Sequence, residues 1–248
     1  MIDPAPEPPL RLRAPLATED GHEIGSIEPA LGARMVAAGL PLRQHGHAWQ
    51  LTSTPATGAL AGIARWLHGQ GHGGRWRDEQ LSVTDENGRV AGTIERAVVR
   101  PLGIATHAVH LVGRDAGGRV WIQQRALDKA TDPGLWDTLM GGLMAASETV
   151  ASTLERETWE EAGLRVADLL ALRETSRFTI RRPVSDGYLI EHFHVFEAVV
   201  PDGMTPNNQD GEVAAFALLT LDELRQRLRA DEFTIEAALI LGELLQSP

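Results

Sequence analysis

Residues 141–164 read GGLMAASETVASTLERETWEEAGL and crowd Glu155, Glu157, Glu160 and Glu161 into seven positions. The surrounding pattern is that of a half-buried helix. With Ser147 or Glu148 near the N-cap and the helix running to Ala162, Val150, Ala151, Leu154, Thr158 and Ala162 form one stripe. Spacings of three and four set Glu157, Glu160 and Glu161 on an adjoining arc. Glu161 then projects between Val150 and Leu154, at the edge of the buried stripe, whereas surface glutamates lie opposite such a stripe. Carboxylates this close repel, and partial burial raises their pKa values. Arg156 is the compensating charge nearby. A divalent cation resolves the conflict, because hard cations such as Mg²⁺ take oxygen ligands and fill their shell with water and substrate phosphates. From the helix alone, a solvated Glu-rich face remains the alternative.

The rest of the chain sets the frame for this helix. Its 248 residues, 43% hydrophobic, suffice for one large domain or two small ones. No apolar run is long enough to span a bilayer, and MIDPAPEPPLRLRAPL has proline where an export signal would have an apolar core. With no cysteine, disulfides and thiolate metal sites are excluded, and the cytoplasm is the expected location. A net charge of −11 argues against a nucleic-acid polymer as partner. It permits a small phosphorylated substrate whose charge a bound cation screens.

Residues 1 to about 20 are Pro-rich and read as a loose arm. HEIGSIEP and HAWQL are strand-like. Ala30–Ala38 reads as a helix ended by Gly39 and Pro41, and Gly58–His68 has helical spacing. LSVTDENGRVAGTIERAVV is a hairpin around Asn87-Gly88, and Pro101 marks a boundary. A second hairpin, THAVHLVGRDAGGRVWIQQR, precedes the loop ALDKATDPGLWD and the quoted stretch, whose helix ends at Gly163. YLIEHFHVFEAVVP and EVAAFALLT read as strands, Thr220–Glu223 as a capping box, and FTIEAALILGELLQ as an apolar helix. The pattern is mixed sheet with helices rather than regular βαβ alternation.

The stretch fits the Nudix box, G-x5-E-x7-R-E-U-x-E-E-x-G-U with U bulky and apolar: Gly142, Glu148, then Arg156, Glu157, Thr158, Trp159, Glu160, Glu161, Ala162, Gly163 and Leu164. Seven fixed positions recur by chance on the order of once in a hundred million starts. The one departure is Thr158 at an apolar position, which touches no chemistry. The chain therefore resembles the Nudix hydrolases. Segments GHEIGSIEP, WRDEQLSV, ERAVVRPLGIATHAVHL and DKATDPGLWDTLMGG are further similar to a subfamily with its own N-terminal domain, related to thiamine pyrophosphokinase.

The resemblance implies a Nudix α/β/α sandwich with mixed sheet over residues 101–248, a small α+β domain over 21–100, and the arm over 1–20. It implies Mg²⁺-dependent hydrolysis, with Mn²⁺ as the other candidate ion, of a small organic diphosphate. Thiamine diphosphate and its damaged analogues, cut to the monophosphate, are the implied class. By the family pattern Glu157 and Glu161 ligate metal, Glu160 ligates it or holds one of its waters, and the Gly141 carbonyl completes the shell. Arg156 orients the glutamates, while Gly142, Glu148 and Gly163 are structural. The general base comes from the box helix or from Glu212 in NNQDGEVAAF. Arg125 and Lys129, just before the box, are placed to hold a phosphate, with surface solvation as their ordinary role. Dimers are common in the family, so a homodimer stays open. Hydrolysis of nucleoside triphosphates or nucleotide sugars is the alternative activity, and a ligand-sensing binding module the alternative class; such modules usually lose box glutamates. Isopentenyl diphosphate isomerase shares the fold but relies on a cysteine absent here.

Nine histidines raise a zinc reading. The pairs His107/His110 and His192/His194 have no third clustered ligand, so strand histidines with other roles are expected. GQGHGGRW lacks the Lys-Ser/Thr of a phosphate loop and reads as a turn.

Overall fold

The computed structural model describes residues 4–246, so residues 1–3 of the expected arm lie outside the described residues. In chain order the first part comprises β1 (Ala14–Ala17), β2 (Glu23–Ile27), α1 (Pro29–Ala37), β3 (Leu42–His45), β4 (Ala48–Leu51), α2 (Ala56–Gly69), β5 (Gln80–Thr84) and β6 (Val90–Glu95). Four strands form a sheet in the order β2-β1-β4-β3, and β5-β6 is a separate hairpin. Helix α2 buries Leu60, Ile63, Ala64 and Leu67, the stripe its spacing predicts. Helix α1 lies so close to the sheet that a Cβ on Gly32 would enter the Trp49 indole. The hairpin turns where Asn87-Gly88 predicts. There the Asp85 carboxylate accepts the backbone N–H groups of Asn87 (2.8 Å) and Arg89 (2.9 Å).

The N-terminal segment is not loose throughout. Its residues from Ala14 form β1, antiparallel to β2 and parallel to β4, with Leu16 and Ala17 buried. Upstream, Glu7 N–H donates to the Arg181 carbonyl (2.9 Å). Its own carbonyl accepts from the Tyr188 hydroxyl (2.7 Å).

The second part comprises β7 (Thr106–Arg114), β8 (Val120–Arg125), β9 (Trp136–Asp137), β10 (Met140–Leu143), α3 (Val150–Ala162), β11 (Leu170–Val184), β12 (Gly187–Val199), β13 (Val213–Leu219), α4 (Leu221–Arg229) and α5 (Ile235–Leu244). The sheet runs β11-β12-β7-β8-β13, with β10 added to β7 and β9 to β8. Strands β12 and β7 are parallel, and the other pairings are antiparallel. One face packs Leu154 and Ala162 of α3 against Val109, Leu111, Ala198 and Val200. The other packs Ala237, Ile240 and Leu241 of α5 against Ala108, Ile122, Phe178 and Phe193. This is the expected α/β/α layering on a mixed sheet.

Strands β3, β9, β10 and β11 carry too little signal to be read in advance. Strand β11 is an edge strand whose first part, LALRETSR, is mostly exposed and charged, so apolar alternation fails there. In α3 the N-cap is Thr149 rather than Ser147 or Glu148. Its hydroxyl accepts from Ser152 N–H (3.2 Å), and Ser152 Oγ accepts from Thr149 N–H (2.9 Å). The buried stripe is also turned from the expected one: Ala151 is exposed and Thr153 is buried, its hydroxyl donating to Glu148 (3.1 Å).

Gly163 ends α3 with φ 63°, a left-handed conformation that costs a non-glycine residue. A Cβ there would also lie 2.5 Å from the Asn207 carbonyl. Gly163→Ala is expected to destabilise the fold by about 1–3 kcal/mol, read as a lower urea midpoint at unchanged slope. An unchanged midpoint would mean that this turn can relax freely.

Candidate active site

Strands β7 and β8 pair only at Gly113–Trp121 and Arg114–Val120. Before that point they part. Strand β10 occupies the vacated edge of β7, and β9 pairs with β8. The parting opens a cleft of about 460 Å³ lined by the β10 glycines, the α3 glutamates, the loop after β8 and Arg77, Arg96 and Arg100 from the first part of the chain. Two glycines let β10 fit. A Cβ on Gly142 would overlap the Glu157 carboxyl, and one on Gly141 would lie 2.6 Å from the His110 ring.

Glu161 is 1% exposed. Its Oε2 accepts from Gln123 Nε2 (2.7 Å) and Gly141 N–H (2.9 Å), and Lys129 Nζ lies 3.4 Å from Oε1. Burial pushes its pKa up; the Lys129 charge and the two hydrogen bonds oppose that but do not cancel it. Glu157 is pushed up to about 7, first by burial and then by the Glu161 charge, against the pull of Arg156. Arg156 holds the helix face together. It meets Glu148 through Nε (2.5 Å) and Nη2 (2.8 Å), and Glu157 (2.8 Å) and Glu160 (2.9 Å) through Nη1. These contacts raise its own pKa. Glu148 drops to about 2, chiefly through Arg156, and also accepts the Ala145 N–H (3.0 Å). It ties the start of α3 to Arg156.

Lys129 bridges the two candidate acids, lying 2.6 Å from Glu212 Oε2 as well as facing Glu161. Partial burial raises Glu212, but the Lys129 hydrogen bond and charge outweigh it, and the pKa is lowered. Arg125 braces the intervening loop, donating to the Thr131 carbonyl through Nε (3.2 Å) and Nη2 (3.0 Å), with Asp137 Oδ2 at 3.5 Å. The structure thus brings Gly141, Gly142, Arg156, Glu157, Glu160, Glu161, Arg125, Lys129 and Glu212 to one cleft, with Glu148 bound to Arg156 and Gly163 ending α3. Gln123, Asp137 and the three arginines were not anticipated. For Gln123 a signal existed, since alternation puts it on the same face of β8 as Arg125. The arginines lie 40 to 80 residues away by sequence, roughly, and no local spacing announces them.

Of the histidine pairs read from sequence, His107/His110 does not form, while His192 and His194 share a face of β12. A spacing of three on a strand puts His107 and His110 on opposite faces. His107 meets His192 and His194 across β7–β12, with ring centroids 4.9 and 6.1 Å apart. His110 is buried against Thr138 Oγ1 (3.0 Å). Trp159 is 46% exposed under the Arg165 guanidinium, 5.6 Å from the ring centroid.

The donor set at the box is all oxygen: one carboxylate kept from water and a second pushed towards neutrality by it. Such a set suits a hard divalent cation, and Nudix hydrolases generally use one. The three glutamates do not close on one point here. Glu157 and Glu160 are turned to Arg156, while Glu161 is held by Gln123 and Gly141.

The NUDIX domain model matches residues 105–239, more than half of the chain. An uncharacterized Nudix hydrolase of Pseudomonas aeruginosa is 35% identical over 105 residues, 42% of this chain and 60% of that protein. The isopentenyl-diphosphate Delta-isomerase of Streptomyces coelicolor is 34% identical over 155 residues, 62% of this chain and 77% of the other. The chloroplastic Nudix hydrolase 20 of Arabidopsis thaliana is 29% identical over 189 residues, 71% of this chain but 48% of its own length. A crystal structure from Deinococcus radiodurans shares the fold, with a TM-score of 0.54 and 22% identity over 66% of this chain and 98% of that one. With Arg156, Glu157, Glu160 and Glu161 of the box lining one cleft, the chain belongs to the NUDIX family.

Proposed function

We propose that the chain is a Mg²⁺-dependent pyrophosphohydrolase that cuts a small organic diphosphate to its monophosphate. The observation that carries this reading is the burial of Glu161 beside Glu157 with Lys129 as its nearest cation. Glu157, Glu160 and Glu161, with the Gly141 carbonyl, are the residues that would hold Mg²⁺ or Mn²⁺. When bound, the ion supplies charge for the diphosphate oxygens and a more acidic water. Arg156 keeps the glutamates on one side of the cleft. Gln123 and the Gly141 N–H fix the rotamer of Glu161. Lys129 can exchange Glu212 for a phosphate oxygen, and Arg125 shapes the loop that carries Lys129. Glu212, kept ionised by Lys129, has the protonation state a general base needs; a box glutamate is the other candidate.

For the substrate we favour thiamine diphosphate and its damaged analogues. The support is the likeness of the N-terminal segments to the thiamine pyrophosphokinase-related subfamily and the length of the match to the Arabidopsis hydrolase, which runs past the box region. We further propose residues 21–100 as a small α+β domain and 101–248 as the hydrolase domain. One hydrophobic cluster draws on residues 16–104 and two others on 108–241, in keeping with that division. The isomerase relative invites another activity, but the cysteine that such enzymes rely on has no counterpart in a chain without cysteine. A binding module would not need every box carboxylate.

A panel of organic diphosphates assayed for phosphate release with Mg²⁺ tests the reading. Glu161→Gln is expected to lose nearly all turnover while remaining folded, since it removes charge but not shape. Wild-type turnover of this variant at limiting Mg²⁺ would rule out its role as a ligand.

Metal-free stability carries a second signature. Glu157 is raised from 4.5 to about 7, so its favourable contribution is fully present below about pH 4.5 and is lost as pH rises through 7. The metal-free protein should therefore lose melting temperature between about pH 5 and 8 relative to Glu157→Gln, and Mg²⁺ should restore it. Parallel curves for the two proteins would remove the carboxylate conflict from the argument.

Glu212→Gln separates the assignments of the base. If Glu212 is the base, kcat falls by about 10²–10⁴ at little change in Mg²⁺ dependence. Unchanged kinetics would return that role to the box helix.

A further inference from the structure

The diphosphate chemistry uses one end of the cleft. The other end lies along the same strand. On β7, His110 stands opposite Gly141, Ala108 opposite both Leu143 and Phe193, and Thr106 opposite Glu191. From His110 to Thr106 is four residues, about 13 Å at 3.3 Å per residue. Ala108, Leu143, Leu189 and Phe193 line the cleft over this span and give it an apolar floor. At its far end the lining turns acidic, with Glu191 on β12 and Glu236 in the first turn of α5.

Of these two carboxylates, Glu191 is the less compensated. Among the described residues, the Thr106 hydroxyl is the one hydrogen-bond donor to Glu191, at 3.0 Å. Arg182 Nη2 stands 3.4 Å from Glu236, and its Nε is buried without a partner. Arg96 and Arg100 also line the cleft, but each has a carboxylate of its own, Glu79 at 2.7 Å and Asp186 at 3.8 Å. Burial and the neighbouring Glu236 push Glu191 up to about 7. No box residue explains this pair. A carboxylate left open to a cleft, with an apolar floor leading to it, is an acceptor awaiting a donor.

We propose that Glu191 and Glu236 are the specificity-determining end of the cleft, selecting a diphosphate whose organic group is a heterocycle bearing amino or ring N–H donors, or a positive charge. The proposal rests on the hydrolase reading above and narrows its substrate. A donor edge would satisfy Glu191 and add to the Arg182 contact at Glu236, whereas a hydrocarbon would strip water from Glu191 and leave it with the Thr106 hydroxyl alone. That penalty makes hydrogen-bonding sites reject analogues lacking the group.

The test compares kcat/KM, with Mg²⁺, for thiamine diphosphate and ADP-ribose as amino-heterocycles and isopentenyl diphosphate as the hydrocarbon. The wild type is expected to prefer an amino-heterocycle. In Glu191→Leu that preference should fall about 10- to 100-fold, the effect of one hydrogen bond to a charged acceptor, and the change should lie in KM rather than kcat. Should Glu191→Leu fail to fold, the isosteric Glu191→Gln takes its place. Calorimetry with phosphate-free thiamine and adenosine gives a readout independent of turnover, with binding to the wild type weakened in the variant. A wild-type preference for isopentenyl diphosphate, or a ratio and a phosphate-free affinity unmoved by either substitution, overturns the proposal while leaving the hydrolase intact. Failure to cleave any of the three compounds, with phosphate-free binding still dependent on Glu191, would overturn the hydrolase reading and leave the recognition end standing.

Discussion

The carboxylate of Glu161 is kept from water at the edge of a packed helix, and much of the site is arranged around that fact. A lone buried carboxylate would protonate or unfold its surroundings. Here Gln123 from β8 and the Gly141 N–H from β10 each give it a hydrogen bond, and Lys129 Nζ adds a longer one at 3.4 Å. Each donor comes from a different element, so the glutamate is also a clamp joining α3, β8, β10 and the loop after β8. Its partner clamp is Arg156, which gathers Glu148, Glu157 and Glu160 on the same helix. One cation on the helix and one on the loop do not neutralise four carboxylates. The remaining negative charge is what would suit the site to a divalent ion.

The sheet supplies the room. If β7 and β8 stayed paired along their length, the space in front of α3 would be filled by backbone. Their parting beyond Gly113 admits β10, and β10 can lie there only because Gly141 and Gly142 have no side chains to meet His110 and Glu157. Fold and site are thus linked by steric necessity, with the glycines of the box serving packing as much as chemistry.

This linkage also explains what could be read in advance. The glutamates, Arg156, Gly142 and Gly163 share one helix and its approaches, so their spacing alone carries the geometry. Lys129 and Arg125 are legible because they lie on the strand and loop that lead into the box. The N-cap falls at Thr149 rather than at the expected Ser147 or Glu148 because Glu148 is bound by Arg156 while Thr149 pairs with Ser152. Strand β11 escaped notice because an edge strand with a solvated first half needs no apolar alternation. Arg77, Arg96, Arg100, Glu191 and Glu236 come from several distant elements. Their convergence is a property of topology, which local periodicity does not encode.

The charge of the cleft settles what kind of molecule can lie along it. A chain with net charge −11 does not attract a polyanion by its overall field. It must bind one by local cations: Lys129 and Arg125 near the box, Arg77, Arg96 and Arg100 along the cleft, and the divalent ion that the glutamates would hold. Away from the box the lining includes Glu191 and Glu236, the latter 3.4 Å from Arg182. On the reading proposed above, a ligand with a hydrocarbon tail would leave Glu191 with the Thr106 hydroxyl alone, so the ligand that fits both ends would be asymmetric, anionic at its diphosphate and donor-rich at its ring. Arg77, Arg96 and Arg100 of the first part of the chain line the same space, so residues outside the box-bearing sheet would help to enclose it.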